Sequence, residues 1–403
     1  MRGRSALVSG GGIGGLAAAL AISRSGWDVR LFEQAPAFAE AGAGIQLGPN
    51  VMKILQGWGL SASLAGVAAF PGLLQVRSAL TGKLLAGMSL SGMTARYGAP
   101  YATVHRADLH TVLLDAVRQT DTHLHADRAL QAFSQTPDAV SAQTTDALDV
   151  EGDVLIGADG LWSTVRRQLL GDGLPRRTGH LAYRTLVQQS ALPETLRSQN
   201  VTVWLGPRMH VVQYPVRCGD YLNVVVLAEG NIGSVGDAGG NANRWDHQPD
   251  LSSLSAVTSD GCPALQDLMA ALSGWRVWQL CDREPMRGAW QHALGRVALL
   301  GDAAHPMLPY LAQGAGMAIE DAAELGHVLQ LAADPAFDVP TMLQRYALNR
   351  WQRNAKVQAT AMRNARIFHA SGLLRVARDA SMKLLGERLL DVPWLYGASP
   401  KQI

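Results

Sequence analysis

The sequence predicts an α/β chain: a parallel-sheet domain with flanking helices, an antiparallel-sheet domain, and a helical C-terminal region. Three observations predict it. Apolar runs at residues 6–9, 154–156 and 297–300 have the unbroken hydrophobicity of parallel strands covered on both faces. Between the second and third, residues 201–205, 210–215 and 222–228 read as strands joined by turns at Gly206-Pro207 and Cys218-Gly219-Asp220, a pattern that suits an antiparallel meander. From about Pro340 the pattern is helical and bears arginines at 350, 353, 363 and 366. The parts interleave, with 1–69, 101–175 and 285–340 in the first, 70–100 and 176–284 in the second, and 341–403 in the third. At 403 residues and 48% hydrophobic composition, the chain suffices for about two domains.

The first unit is the most informative. The run Ala6-Leu7-Val8-Ser9 leads directly into Gly10-Gly11-Gly12-Ile13-Gly14-Gly15, with glycines at the three positions of G-x-G-x-x-G. Residues 16–25 read as an alanine-rich helix closed by Gly26, and 29–32 as a strand ending at Glu33. Strand, glycine turn, helix, strand and acid in register form a Rossmann-like dinucleotide-binding unit. Gly10 permits the tight turn, Gly12 lets backbone approach a pyrophosphate, and Gly15 lets helix and strand pack closely. The helix N-terminus, which includes Gly14, offers unpaired N–H groups to phosphate. Glu33 falls 33 − 15 = 18 residues after the last glycine, where a carboxylate accepts hydrogen bonds from an adenosine ribose.

Further along, the small residues from 41 to 50 read on composition as an ordinary glycine-rich loop before a helix at 51–57. Residues 70–98 lack helical periodicity and suggest strands with turns at Thr81-Gly82 and Ser91-Gly92. Arg106 stands at the entrance of a helix carried by Leu109, Val112, Leu113, Ala116 and Val117. Asp159 ends the second apolar strand, where open α/β sheets place ligand contacts, and Asp302 repeats that grammar after Gly301. Residues 313–317, including Gly316 and Met317, open another helix, with Glu320 and Asp321 expected in its first turn. His210, Val212 and Tyr214 alternate onto one strand face, which reads equally as a site wall or as a solvated sheet surface. Residues 230–250 read as a mobile surface loop. The arginines of the tail read as a solvated face, with an anionic surface or a subunit contact, hence a homodimer, as the alternative.

Several classes are excluded. The cysteines Cys218, Cys262 and Cys281 form no close pair and suggest neither a disulfide framework nor a metal site. No stretch has the length of a membrane span, and a signal-peptide reading of the N-terminus leaves the glycine spacing unexplained. A cytoplasmic location is expected. The net charge of +2 argues neither for nor against an acidic partner, and no nucleic-acid partner is expected.

Taken together, the glycine turn, Gly157-Ala158-Asp159-Gly160 and Gly301-Asp302-Ala303-Ala304-His305-Pro306 resemble the three fingerprints of the FAD-dependent class A aromatic hydroxylases. The resemblance covers residues from about 7 to past 321 and implies FAD as cofactor, NADH or NADPH as electron donor, and dioxygen and a small aromatic acid as substrates. Glu33 would then hold the adenosine ribose and Arg106 would lie along the dinucleotide. Asp159 would sit by the pyrophosphate, Asp302 would bind the ribityl chain, and the amides near Gly316 and Met317 would meet the pyrimidine edge of the flavin. Within the family the chain looks most like the 3-hydroxybenzoate 6-hydroxylases, with salicylate and 6-hydroxynicotinate hydroxylases close behind. Residues 206–215 match the strand carrying the substrate-side His and Tyr of the first group, and Gln46 matches it too. The implied reaction is ring hydroxylation through a flavin hydroperoxide, with His210 as base and Tyr214 orienting the substrate. One departure is Pro309, which stands where that group places a functional Gln. A flavin halogenase is a remote alternative, because Trp275-Arg276-Val277-Trp278 is continued by Gln279-Leu280 rather than Ile-Pro. A non-enzymatic flavoprotein module is another, and substrate-stimulated NADH oxidation separates it.

Overall fold

The computed structural model describes residues 4–40, 42–230, 251–334 and 336–398. Of the expected mobile loop, residues 231–250 lie outside that set.

The first strand, Ser5–Ser9, is central in a six-stranded sheet and pairs in parallel with Asp28–Phe32 on one side and Val154–Gly157 on the other. Val297–Leu299 continues the parallel order beyond Val154–Gly157. Alternation sends Ala6 and Val8 to one face and Leu7 to the other, and both faces are covered. The helices Ile13–Ser23, Arg106–Arg118 and Gly314–Leu329 pack on the first. A three-stranded antiparallel sheet, Leu130–Gln135, Val140–Thr144 and Asp149–Gly152, lies over the second. Burial on two sides is the reason these strands read as continuous apolar runs. The glycine-turn helix starts at Ile13, three residues before its expected start, because the turn at Gly10–Gly12 is tight enough to begin it at once.

The second sheet has seven strands, in the order Arg276–Asp282, Arg176–Gln188, Tyr221–Glu229, Met209–Val216, Val201–Gly206, Leu73–Ser78, Leu84–Ser89. The expected meander is its centre, antiparallel throughout. Residues 73–89 add two more strands, and Leu73–Ser78 pairs in parallel with Val201–Gly206. Residues Tyr183, Val211, Val224 and Val226 point one way, onto the helices Leu251–Thr258 and Pro263–Ala270. The opposite face turns toward the first domain.

Four expectations change. Residues 44–47 are a strand paired with Ala102–His105 rather than loop, and Met93–Tyr97 is a short helix. The helix containing Glu320 and Asp321 starts at Gly314, so both acids fall in its second turn and face inward rather than serving its dipole. Arg350 and Arg353 on the long helix Val339–Phe368 are not a solvated face. Arg350 Nε donates to Asp321 Oδ1 at 2.7 Å, and Arg353 Nε to Glu320 Oε2 at 2.6 Å. Arg363 and Arg366 are exposed as expected.

Candidate active site

The glycine turn is shaped by the chain's own packing at two positions and by something else at the third. Gly10 has φ +103°, and a Cβ there would stand 2.4 Å from the Ala158 carbonyl oxygen. At Gly15 a Cβ would come within 1.8 Å of the Gly10 oxygen, so that helix and turn touch only because it is absent. Gly12 is different. Its φ of −73° suits any residue, and a Cβ would meet only the Glu40 carboxylate, at 3.3 Å. No side chain caps this helix N-terminus, and no acid occupies its first turn. An uncapped helix start behind open backbone is a cradle for a diphosphate. Glu33 lies beside it, accepting from the amides of Gly11 at 2.6 Å and Ala35 at 2.7 Å. The turn and the acid are therefore one unit.

Arg106, the first residue of the helix Arg106–Arg118 packed beside the Ile13 helix, is paired at 2.9 Å with Glu40, whose carboxylate borders Gly12. Burial opposes its charge, but Glu40 and the nearby Asp302 outweigh that and raise its pKa. Asp302 projects from the short turn Gly301–Ala303 and is open to solvent at its surface, yet its walls are close enough that desolvation raises its carboxyl, with Arg106 pulling the other way. The Asp159 side chain is already engaged. It accepts from Ser163 Oγ and from the amides of Thr164 at 2.8 Å and Val165 at 3.1 Å, capping the helix Thr164–Leu170. Its backbone, by contrast, abuts Gly10. At the start of the helix Gly314–Leu329 the Met317 amide is bonded to the Gln313 carbonyl at 2.8 Å. The amides lacking an intrahelical acceptor are therefore those of Gly314, Ala315 and Gly316. A Cβ on Gly316 would press on Val51 at 2.8 Å, which holds this helix start against the helix Pro49–Gly57.

The helix start is held from below by a buried charge network. Asp321 accepts from His305 Nε2, from Arg350 and from Asn354 Nδ2, and Glu320 from Arg350, Arg353 and Asn50. Burial alone would raise the Asp321 carboxyl, yet His305 and Arg350 hold it well below the carboxylate range. The loop after Asp302, the helix after it and the long C-terminal helix are thereby fixed to one another.

The second sheet presents the other wall. Cross-strand partners share a face. His210 pairs with Leu227, which pairs with Ala182; Val212 pairs with Val225, which pairs with Arg184; and Tyr214 pairs with Asn223. Arg184 therefore sits in the row between those of His210 and Tyr214. This face is not solvated, since His210 is 1% exposed and Tyr214 4%. Met317 and Val357 pack in the cluster with Tyr214, while Leu308, Tyr310 and Ala365 pack with Val225 and Leu227. The segment 42–47 crosses close above Tyr214, because a Cβ on Gly44 would stand 2.4 Å from the ring and the Gly44 amide donates to Asn223 Oδ1 at 2.8 Å. Gln46 accepts from the Tyr101 hydroxyl at 2.6 Å and hydrogen-bonds Tyr214. Burial pushes the Tyr214 hydroxyl well above its ordinary value, with Arg184 and the Gln46 hydrogen bond acting against it.

Arg184 was not singled out in the sequence. Its guanidinium lies 4.0 Å from the Trp278 ring, its buried Nε has no hydrogen-bond partner, and no carboxylate pairs with it among the described residues. Burial lowers its pKa to about 10. Isolated cations inside a site await anions. The only signal in the sequence was an arginine between the apolar pairs Leu181-Ala182 and Leu186-Val187 of its strand. No cluster suited to a metal ion occurs among the described residues.

The family described as "FAD binding domain" matches residues 4–221 and 259–361. The chain belongs to this family. It is 37% identical over 397 residues to 3-hydroxybenzoate 6-hydroxylase of Polaromonas naphthalenivorans, covering 97% of this chain and 95% of that one. It is also 37% identical over 399 residues to 3-amino-4-hydroxybenzoate 2-monooxygenase PtnB3 of Streptomyces platensis, covering 97% and 95%. Among solved structures, Klebsiella pneumoniae HpxO complexed with FAD and uric acid superposes with a TM-score of 0.84 at 27% identity, covering 96% of this chain and 94% of that one. The protein is a flavoprotein aromatic monooxygenase with FAD as its cofactor. The residues fit that group: the open backbone at Gly12, the uncapped helix start and the free amides at Gly314–Gly316 are what a diphosphate and a flavin edge require.

Proposed function

We propose that the protein hydroxylates a monocyclic hydroxylated aromatic carboxylate, with 3-hydroxybenzoate as first choice, using NADH or NADPH and dioxygen. The observation that carries this reading is Arg184, a cation without a carboxylate partner among the described residues, in the row between those of His210 and Tyr214 on a water-excluded face. Four residues of extended strand separate His210 and Tyr214 by roughly 13 Å. A benzene-sized acid with a hydrogen bond at each end spans such a site. Tyr214, Gln46 and Arg184 take the carboxylate end, and His210 takes the phenol proton. Reduced FAD supplies the activated oxygen. Everything else falls to the chain. Glu33, Arg106, Asp302 and the first-turn amides of the Ile13 and Gly314 helices hold the cofactor. The sheet and the apolar loop 307–311 keep water from the reacting ring.

His210 is suited to accept a proton rather than to carry a resting charge. Burial lowers its pKa well below the ordinary histidine value, with His369, His180 and Arg378 adding to the effect. A neutral imidazole accepts from a phenol and thereby makes the ring a better nucleophile.

A second reading is favoured by Pro309. It opens the turn Pro309–Leu311 and has no side-chain donor or acceptor, while the next residue, Tyr310, is turned onto His180. A contact of about 1–3 kcal/mol near the ring is thereby removed, enough to shift preference toward salicylate, with loss of carbon dioxide, or 6-hydroxynicotinate. The test is dioxygen-dependent NAD(P)H oxidation with product analysis on 2-, 3- and 4-hydroxybenzoate and 6-hydroxynicotinate. A 2,5-dihydroxy acid from 3-hydroxybenzoate supports the first choice, and catechol from salicylate the second. If none of the four stimulates oxidation, the aromatic-acid reading fails.

A further inference from the structure

His210 does not end the hydrogen-bonded chemistry of its wall. Its Nδ1 lies 3.0 Å from Nε2 of His369, the residue that caps the long helix Val339–Phe368. The other nitrogen of His369, Nδ1, is buried, has no hydrogen-bond partner, and lies 3.9 Å from Glu229 Oε1. His369 is 2% exposed at its side chain and Glu229 45%, so the line leads from the interior to bulk water in two steps.

We propose that His369 and Glu229 form the exit of a proton relay that begins at His210 and carries the phenolic proton of the substrate to solvent. The proposal rests on the aromatic-acid reading above and extends it to residues outside the substrate wall. His369 and Glu229 are positioning residues, since they act through His210 and do not touch the ring.

The tautomers follow from the geometry. With the proton of His210 on Nδ1, donated to His369 Nε2, the free Nε2 of His210 is the acceptor for substrate. The substrate O–H bond breaks as the His210 Nε2–H bond forms. His210 Nδ1–H then passes to His369 Nε2, and His369 Nδ1–H passes to Glu229 or to water at its carboxylate. Each imidazole ends neutral, with its proton moved from Nδ1 to Nε2. When the product hydroxyl is reprotonated, the same line runs in reverse and restores the starting tautomers. No electron pair leaves the chain of hydrogen bonds, and no co-reactant is needed.

The surroundings support transfer rather than storage. His180 stacks on His369 with ring centroids 5.1 Å apart, and its own Nδ1 is bonded to the Tyr310 hydroxyl, which fixes the ring plane against which His369 lies. The Arg208 amide donates to the His369 carbonyl at 3.0 Å, and Arg378 donates to the Phe368 carbonyl at 2.7 Å, so the helix end is tied down. His210 is faced by His369, His180, Tyr310 and Arg378; His369 by His180, Arg378 and Glu229. His180 in turn feels Glu229 and Asp282. Burial, followed by His180 and Arg378, lowers His369 to about 3, and His210 is lowered as well, so each imidazole of the pair is neutral at neutral pH and carries a single N–H. A purely structural His–His contact accounts for the 3.0 Å bond. It leaves unexplained why the remaining nitrogen is unpaired and aimed at a half-exposed carboxylate.

The experiment is stopped-flow mixing of the FAD-loaded protein with a phenolic acid that it binds, in weak buffer with a pH-indicator dye. The unaltered protein should release one proton at the rate of binding. His369→Gln should keep its FAD and its substrate affinity but release the proton about tenfold or more slowly. Glu229→Gln, at the surface and safe for the fold, should be slowed in weak buffer and restored by added imidazole buffer. A His369→Gln protein that binds substrate and releases its proton at the unaltered rate overturns the relay and leaves the substrate reading intact. If His369→Gln fails to load FAD, Glu229→Gln decides, and an unchanged rate in weak buffer overturns the relay. If the unaltered protein binds none of the four acids, the substrate reading fails, and the relay loses the proton it serves.

Discussion

Replacing Gly12 with valine separates what the fold needs from what the cofactor needs. Its backbone, at φ −73° and ψ −175°, is extended and accepts a branched residue, and the only neighbour of a new Cβ is the flexible Glu40 carboxylate at 3.3 Å. The cost to the fold is a poorer helix N-cap, about 1 kcal/mol. For FAD the change is larger, because the side chain occupies the space in front of the free amides. A hydrogen bond from an amide to a charged phosphate oxygen contributes about 1.5–3 kcal/mol. Losing two of them weakens binding by about 3 kcal/mol or more, or about a hundredfold or more in Kd. Gly15→Ala should do the opposite, since its Cβ would stand 1.8 Å from the Gly10 oxygen and helix and strand could not pack. Titration of apoprotein with FAD by flavin fluorescence, together with thermal melts of the apoproteins, measures both effects. A Gly12→Val protein that binds FAD as tightly as the unaltered chain refutes the assignment of the cradle. A Gly15→Ala protein with an unchanged melting temperature refutes the packing role of Gly15.

Three other outcomes are expected. His210→Ala should keep its flavin while hydroxylation falls about 10²–10⁴-fold, with NADH electrons diverted to hydrogen peroxide; normal product yield would mean that His210 only packs the sheet. Asp321→Asn removes the buried negative charge opposite Arg350 and replaces one of the two oxygens that Arg350 and His305 use with an N–H donor, and should destabilise the fold by about 3–5 kcal/mol, read from denaturant unfolding of the apoprotein. His292, which burial lowers to about 3, takes no proton in the folded state between pH 6.5 and 3, whereas the unfolded chain does. Stability is therefore lost as pH falls through that window. His292→Gln should flatten the fall in melting temperature, and an unchanged slope would place the acid sensitivity elsewhere.

Much of the fold around the glycine turn was legible because its determinants are local. A strand, a turn that only glycine permits, a helix and an acid at its partner strand's end lie within residues 5–33, and each constrains φ, ψ or close approach over a few positions. The alternation that places His210 and Tyr214 on one face is equally local, and the meander around it formed as expected. The glycine-rich segment at 42–47 reads as a loop in the sequence because its partner, Ala102–His105, is distant along the chain and the need for glycine comes from the Tyr214 ring. Arg350 and Arg353 looked solvated for a similar reason. A helical arginine reads as surface until the acids that neutralise it, here Glu320 and Asp321, are brought to it by packing.

What the sequence determined by itself was the strand, glycine turn and helix of the first unit, the strand carrying the two candidate substrate residues, and the fingerprints whose resemblance implies the class of chemistry. What only the tertiary structure decided was which charges are paired and which are left over. Arg184 acquires significance from the register that sets it opposite Val225, and His369 from a contact with His210 across 159 residues of chain. Periodicity reports which face a side chain takes, but burial of a charge or an imidazole depends on elements that meet only when the layers close.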